Sequence, residues 1–320
     1  MPTCLITGGA GNLACQLSWK LAERFDRVVL MDVAEAPVAR VAPAALFERG
    51  NLSDEAQLEA LFKRHQPTAV IHLASLLSGS CEQDRRRGWQ VNMDGSFLLL
   101  EAALRHGAPT VLFASTVAAF GGRLPELLTD DTPQWPDGLY GVTKMAVERL
   151  GVYYHRKHGL DFRCLRLPTT ISRYAPAGAA SALASHGFIE AARNGRFTFR
   201  AEPDIRMALI YARDVLSAIA NLLAAPAPVL TQRVYNLSSM TVTLHEIAAA
   251  ILQALPEATL GFEPDPVISA LLASWPGRID DAAARRDWHW SPEFDLPSTS
   301  QHFLSELRRE FARPAVSPTR

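Results

Sequence analysis

The segment Tyr140-Gly141-Val142-Thr143-Lys144 sets a phenol and an ammonium four residues apart. On a helix this spacing puts both side chains on one face. A free tyrosine has a pKa of about 10, too high for a base at neutral pH. A neighbouring lysine cation favours the phenolate and lowers that value, so the pair can take a proton from an alcohol. The spacing arises often by chance and gains weight only from its company. Upstream, the apolar run Thr110–Ser115 ends in Ser115-Thr116. The carboxyl end of a parallel strand is where a doubly wound sheet presents its site. A hydroxyl at Thr116 can orient the reacting oxygen and stabilise its developing charge.

A second constellation lies at the start of the chain. The run Leu5-Ile6-Thr7 leads into Gly8-Gly9-Ala10-Gly11-Asn12-Leu13-Ala14. Glycines at Gly8 and Gly11 let the backbone turn and let a pyrophosphate approach without a Cβ in the way. The helix that follows points free N–H groups and its positive end at that phosphate. Such a string is a weak signal alone, and its third position is Ala14 where glycine is usual. Its context strengthens it: a second apolar run, Arg27–Met31, ends in Asp32. A carboxylate there accepts from a ribose 2′-hydroxyl and repels a 2′-phosphate, which selects NAD over NADP. The positive charge of oxidised nicotinamide then adds to that of Lys144 on the Tyr140 phenol.

These residues need a frame. Strands are expected at Thr3–Thr7, Arg27–Met31, Ala45–Glu48, Ala69–Leu73, Thr110–Ser115 and Phe162–Leu167. Helices are expected near Asn12–Arg24, Asp54–Arg64, Arg86–His106 and Leu139–His158, with Ser53 or Asp54 capping the second. The alternation implies βαβ crossovers and a doubly wound parallel sheet, an α/β Rossmann architecture with a smaller C-terminal substrate domain. The strand runs are apolar throughout, as when helices cover both faces. After Pro168 the rhythm breaks. Residues 1–172 read as the NAD-binding domain, joined by a later strand and helix near 208–237. Residues 173–320 read as substrate-binding and closing segments, and Arg313–Arg320 as a frayed tail.

The chain has 320 residues, and its 32 Lys and Arg against 33 Asp and Glu give a net charge of −1. This balance offers no basic field for nucleic acid. No apolar run is long enough to span a membrane, and the first residues carry no export signal. Cys4, Cys15, Cys81 and Cys164 are scattered, which points to reduced thiols and a cytoplasmic protein. No metal is expected: His155 and His158 lack a third ligand. Arg85-Arg86-Arg87 reads as a solvated helix start, and Trp288 and Trp290 as packing.

TGxxGxxA at Thr7–Ala14, Asp32, HLA at 72–74, Ser115-Thr116 and YxxxK at Tyr140–Lys144 together resemble an extended short-chain dehydrogenase/reductase of the NAD-dependent epimerase/dehydratase superfamily. The resemblance covers nearly the whole chain. It implies Thr116, Tyr140 and Lys144 as catalytic residues, Thr116 being selected by its distance from Phe120-Gly121. It implies adenine contacts near Asn51-Leu52, where Asp is more usual than Asn51. It also implies backbone contacts to NAD at Leu73, Ala74 and Pro168, and a supporting amide at Asn92.

Two subfamilies are nearer. HLASLLS (72–78), WQVNMDG (89–95), LYGVTK (139–144), YNLSSMTVT (235–243) and the run 274–296 are similar to short-chain-type L-threonine 3-dehydrogenases. FGGRLPELLTDDTP (120–133), RLPTTIS (166–172) and AASALAS (179–185) are similar to D-erythronate dehydrogenases. Both types oxidise a secondary alcohol on a small acid. Where threonine enzymes carry a GGTTDYA-like stretch, this chain has Gly178–Ala184, in which only Ser181 keeps a hydroxyl. Substrate-side candidates are Ser78, Ser80, Thr116, Ser181 and Trp275; Arg206 reads as a structural or phosphate-facing arginine. The rival readings are a nucleotide-sugar epimerase or dehydratase that retains NAD, and a non-catalytic cofactor-binding protein. A homodimer is expected through the helices near 86–106 and 139–158; Leu98, Leu99, Leu150, Val152 and Tyr153 suit such a face and equally suit a cover over the sheet.

Overall fold

The computed structural model describes residues 1–36, 40–107, 110–122, 124–176 and 179–312. The tail Arg313–Arg320, and Gly178 at the head of the alanine-rich stretch, lie outside the described residues. Along the chain run β1 (Thr3–Thr7), α1 (Asn12–Leu21), β2 (Arg27–Asp32), β3 (Leu46–Arg49), α2 (Glu55–His65), β4 (Ala69–His72), α3 (Ser78–Gln83), α4 (Arg85–Trp89), α5 (Gly95–Arg105) and β5 (Thr110–Thr116). Then come β6 (Leu127–Leu128), α6 (Leu139–His158), β7 (Asp161–Leu167), β8 (Thr169–Ile171), α7 (Leu183–Asn194), β9 (Arg196–Phe199), β10 (Arg206–Tyr211), α8 (Ala212–Ala224) and β11 (Val234–Asn236). Last are β12 (Met240–Thr243), α9 (Leu244–Ala254), β13 (Thr259–Phe262), α10 (Pro266–Ala273), β14 (Arg278–Ile279), α11 (Ala282–Trp288) and α12 (Leu296–Phe311).

Seven parallel strands form the main sheet in the order β11-β7-β5-β4-β1-β2-β3. The chain reverses its direction of winding between β1 and β4, which opens a crevice at their carboxyl ends. The central strands are buried along nearly their whole length. One face packs on α1, α8 and α11 through Leu17, Leu21, Val215, Ile219 and Trp288. The other packs on α2, α5 and α6 through Leu58, Phe62, Leu99 and Val147. Helices on both faces are what made the strand sequences continuously apolar.

A second core gathers the late segments. Phe188, Phe199, Leu209, Ile247 and Phe303 join α7, α9 and α12 to the three-stranded sheet β12-β10-β8. Trp288 and Trp290 lie in the first core with ring centres 5.7 Å apart, so they pack rather than bind. Arg85, Arg86 and Arg87 are exposed on α4, whose first turn is capped by Asp84.

The single helix expected over Arg86–His106 differs in one respect. Between α4 and α5 the backbone makes a π-helical turn over Gln90–Asp94. Such a turn adds a residue within a helix and re-aims its neighbours, often at a functional site. Here it carries Asn92. Of the two roles open to Leu99, it takes the second: it is fully buried against the sheet, so it cannot serve an outer face.

Candidate active site

β1 ends at Thr7, and the chain turns at once into Gly8, whose φ of +72° lies in the left-handed region. A Cβ on Gly8 would stand 2.8 Å from the Ala74 nitrogen, and one on Gly9 would stand 2.8 Å from Leu30 Cβ. The loop is therefore clamped between the ends of β2 and β4. Gly11 caps α1, whose first turn receives no side-chain cap, so its N–H groups and dipole face outward for an anion. Asp32 stands beside this loop, its carboxylate accepting from the Ala10 and Ala34 N–H groups, each at 3.0 Å. These residues fit a dinucleotide: side-chain-free backbone for the diphosphate, a carboxylate for the ribose. Gly8→Ala is expected to weaken NADH binding by about tenfold or more, since the residue must hold a strained φ. A fluorescence titration reads this, and wild-type affinity would remove Gly8 from the cradle.

Asn51 and Leu52 follow β3. Asn51 is exposed and its Oδ1 accepts from Ser53 N–H at 3.0 Å, while Leu52 is buried beside Gly95. Leu73 and Ala74 follow β4, their N–H groups held by Thr7 O and Thr7 Oγ1, each at 3.3 Å. Pro168 is buried at the junction of β7 and β8.

A buried polar chain fixes this crevice. Thr7 Oγ1 lies 2.7 Å from His72 Nδ1, His72 Nε2 lies 2.9 Å from Ser96 Oγ, and Ser96 donates to the Asn92 carbonyl at 2.5 Å. Because Thr7 Oγ1 accepts from Ala74, its own proton goes to Nδ1, which leaves Nε2 carrying the imidazole proton. Asn92 in turn accepts from Leu76 N–H at 2.8 Å and donates to Thr143 Oγ1 at 3.2 Å. It thus ties the loop after β4 to α6.

Burial, aided by the Lys144 charge, pushes the His72 pKa down from 6.5 to about 3. The unfolded chain binds this proton below pH 6.5 and the folded chain does not. Stability therefore falls on acidification, by about 1.4 kcal/mol per pH unit within that window. His72→Asn should make the pH dependence of unfolding free energy shallower by that amount between about pH 5.5 and 4. Equal slopes in urea titrations would refute it.

α6 begins at Leu139, whose N–H donates to Glu82 Oε1 at 2.9 Å. A Cβ on Gly141 would fall 2.2 Å from the Ala118 carbonyl, so only glycine lets α6 press so close to the turn after Thr116. Tyr140 and Thr116 are both half-buried. Lys144 is buried, its Nζ donating to Ala114 O at 2.7 Å and lying 5.6 Å from the centre of the Tyr140 ring. Thr116, Tyr140 and Lys144 thus meet at the carboxyl end of β5.

Burial is the largest influence on the electrostatics of Tyr140 and Lys144. Burial pushes the Tyr140 phenol up, charge on Cys81 adds to this, and the Thr116 hydroxyl pulls the other way. Lys144 is itself pushed down to about 8 by burial, against the opposing pull of Cys164, Glu148 and Cys81. Positive charge beside the phenol works against this burial.

Sequence reasoning missed the support behind these residues. Glu148 lies one further turn along the face that carries Tyr140 and Lys144, and it is fully buried. It accepts from Ser115 Oγ at 2.5 Å and pairs with Arg166 at 2.9 Å. Arg166 is buried too, and its Nη1 also reaches the Asp130 carbonyl at 3.0 Å. Two signals were present: a carboxylate continuing the four-residue spacing, and an arginine within the apolar run FRCLRL.

The substrate-side candidates fall in two places. Ser78 and Ser80 are exposed on α3, which the Glu82–Leu139 bond links to the start of α6. Ser181 is exposed on the short turn Ala180–Ala182, and Trp275 is half-buried just after α10, in the core that Ala180 and Leu183 also join. Among the described residues, none of these four side chains makes a hydrogen bond, and none is tied to Thr116 or Tyr140. Arg206 opens β10 and is exposed. Among the described residues, no three His, Cys, Asp or Glu side chains converge on a metal position. His155 is engaged with the Leu160 carbonyl at 2.9 Å. No described helix is long and apolar enough to cross a membrane. Cys4, Cys15, Cys81 and Cys164 are free and buried.

The chain as a whole is similar to known proteins. A model of the NAD dependent epimerase/dehydratase family matches residues 4–238. The chain is 38% identical to the mitochondrial L-threonine 3-dehydrogenase of Bos taurus over 297 residues, 92% of this chain and 79% of that one. The structure of an L-threonine dehydrogenase from Clostridium difficile superposes with a TM-score of 0.91 at 30% identity, covering 97% of this chain and 99% of that one. A monomeric L-threonine 3-dehydrogenase from a metagenome database superposes with a TM-score of 0.87 at 27% identity, covering 96% and 99%.

Proposed function

The chain belongs to the NAD dependent epimerase/dehydratase family, and from that premise we propose that it oxidises the secondary alcohol of a small hydroxy amino acid or hydroxy acid, L-threonine first among them. Its cofactor is NAD, and it is an NAD-dependent oxidoreductase. The observation that carries the reading is the meeting of Thr116, Tyr140 and Lys144 at the end of β5, beside a crevice lined by the glycine loop.

Bound NAD supplies the hydride acceptor. The chain supplies position and charge. Gly8, Gly11, Asn12 and Leu13 hold the diphosphate, and Asp32 holds the adenosine ribose. Asn51 and Leu52 flank the adenine, and Leu73, Ala74 and Pro168 offer backbone along the cofactor. Asn92 keeps the loop after β4 in place. Thr116 hydrogen-bonds the substrate oxygen and Tyr140 takes its proton. Lys144 holds the nicotinamide ribose and adds positive charge beside the phenol. Ser78, Ser80, Ser181 and Trp275 face the rest of the substrate. In this scheme residues 1–172, with α8 and β11, hold the cofactor, and residues 173–320 shape the substrate side.

Threonine is favoured by the L-threonine dehydrogenase structures that match this chain over nearly their whole length. The stretch Ala179–Ala184 favours a second reading, an aldonate such as D-erythronate, because its one hydroxyl is Ser181. The test is NADH formation from L-threonine, allo-threonine, 3-hydroxy acids and four-carbon aldonates. Turnover of L-threonine alone selects the first reading, and turnover of the aldonate the second. Tightly retained NAD with nucleotide-sugar conversion would replace both with an epimerase; cofactor binding without turnover would leave a non-catalytic protein.

A homodimer is part of the proposal. Trp89, Phe97 and Tyr153 are exposed on α4, α5 and α6, a face that water does not favour. Sedimentation is expected to give a dimer, and Tyr153→Glu a monomer. A wild-type chain of 35.0 kDa in solution would end the idea. Four buried thiols fit the reducing conditions of the cytoplasm.

A further inference from the structure

We propose that Arg40 and Tyr174 form a clasp that retains the dinucleotide, a role no family motif assigns to them and one that rests on NAD as cofactor, not on the choice of substrate. The Arg40 backbone is fixed to α1, where Trp19 Nε1 donates to its carbonyl at 3.3 Å. The neighbouring segment is pinned as well, by Ala42 N–H donating to Ser18 Oγ at 2.9 Å. From this anchor the guanidinium returns to the first residue of α1 and donates to Asn12 Oδ1. It therefore carries a positive charge to the helix end that already favours a diphosphate.

The same guanidinium lies 4.8 Å from the centre of the Tyr174 ring. Tyr174 comes from the second half of the chain, on the segment that follows β8. Its ring also receives Arg173 at 4.5 Å, and Arg173 pairs with Glu310 of α12 at 2.9 Å. One continuous set of contacts thus runs from the diphosphate loop, through Arg40 and Tyr174, to the C-terminal helix. Cation–π contacts at exposed positions are weak enough to open and strong enough to bias a closed state. An arginine that both stacks on Tyr174 and reaches Asn12 couples closure to the charge it meets at the helix end.

NADH release measures this without substrate. The protein is loaded with NADH, mixed rapidly with excess ADP-ribose, and the loss of tryptophan-to-NADH energy transfer is followed. Tyr174→Ala and Arg40→Ala are each expected to speed release about tenfold, and Tyr174→Phe, which keeps the ring, by less than twofold. Release within twofold of wild type in either alanine variant would overturn the clasp, as would Tyr174→Phe matching Tyr174→Ala. If Tyr174→Ala does not fold, Arg40→Ala with Arg40→Lys decides: lysine keeps the charge without the planar stack and should restore only part of the retention, while full restoration overturns the stacked contact. Failure of the substrate screen leaves this result untouched, since no turnover enters it.

Discussion

Tyr140→Phe is expected to lower kcat by about 10²–10⁴-fold, the range that a positioned proton acceptor contributes. NADH affinity should change little, because the ring stays and only the hydroxyl goes. The expectation follows from geometry: the phenol stands at the end of β5 beside Thr116, and no other described group there is placed to accept the proton. Lys144 is turned to the Ala114 carbonyl at 2.7 Å, and His72 is enclosed by Thr7 and Ser96. A burst experiment with saturating NAD and the best substrate of the screen separates the proton step from product release. Near-normal turnover in Tyr140→Phe would falsify the assignment of the base. Because burial holds the phenol up in the chain alone, wild-type activity should also rise with pH towards the alkaline side.

Glu148→Gln should destabilise the protein by about 3–5 kcal/mol, as when one partner of a buried ion pair is removed. The Arg166 guanidinium would stay buried with its charge uncompensated. Ser115, Gln134 and Arg166 all donate to this carboxylate, at 2.5, 3.0 and 2.9 Å. The amide can accept at one oxygen only, so at least one donor loses its partner. Urea denaturation of wild type and variant reads the difference in midpoint. The site should suffer as well, because Ser115 pairs across from Arg166 in the sheet and Thr116 is the next residue. A loss below about 1 kcal/mol, the scale of exposed pairs, would mean that water reaches the pair. Glu148→Gln combined with Arg166→Met removes both charges and should recover part of the stability.

Much of this molecule was legible because its signals are local. Apolar runs such as AVIH and TVLFAS name strands buried on both faces. The strand–glycine–helix junction at Gly8–Leu13 and the carboxylate at Asp32 name a diphosphate and a ribose. The four-residue spacing of Tyr140 and Lys144 names a helix face. The π turn at Gln90–Asp94 was not legible, since a helix with one extra residue keeps an ordinary helical composition. For Leu99 an outer face and a cover over the sheet both stayed open, because periodicity reports which residues share a face, not which side meets the sheet. The substrate side was the hardest to read. Ser78 and Ser80 lie far in sequence from Ser181 and Trp275, and no local spacing relates them.

By itself the sequence determined the reaction parts: a glycine cradle, a carboxylate for the ribose, a phenol with its ammonium, and a strand-end hydroxyl. Each is a matter of residue type and short-range spacing, which the chain carries before it folds. Only the tertiary structure decided the electrostatics and the support. Lys144 donates to a carbonyl thirty positions upstream, Glu148 meets Arg166 across two elements, and Arg40 finds Tyr174 from the far half of the chain. Burial and long-range pairing set those outcomes, and both depend on which distant segments the sheet brings side by side.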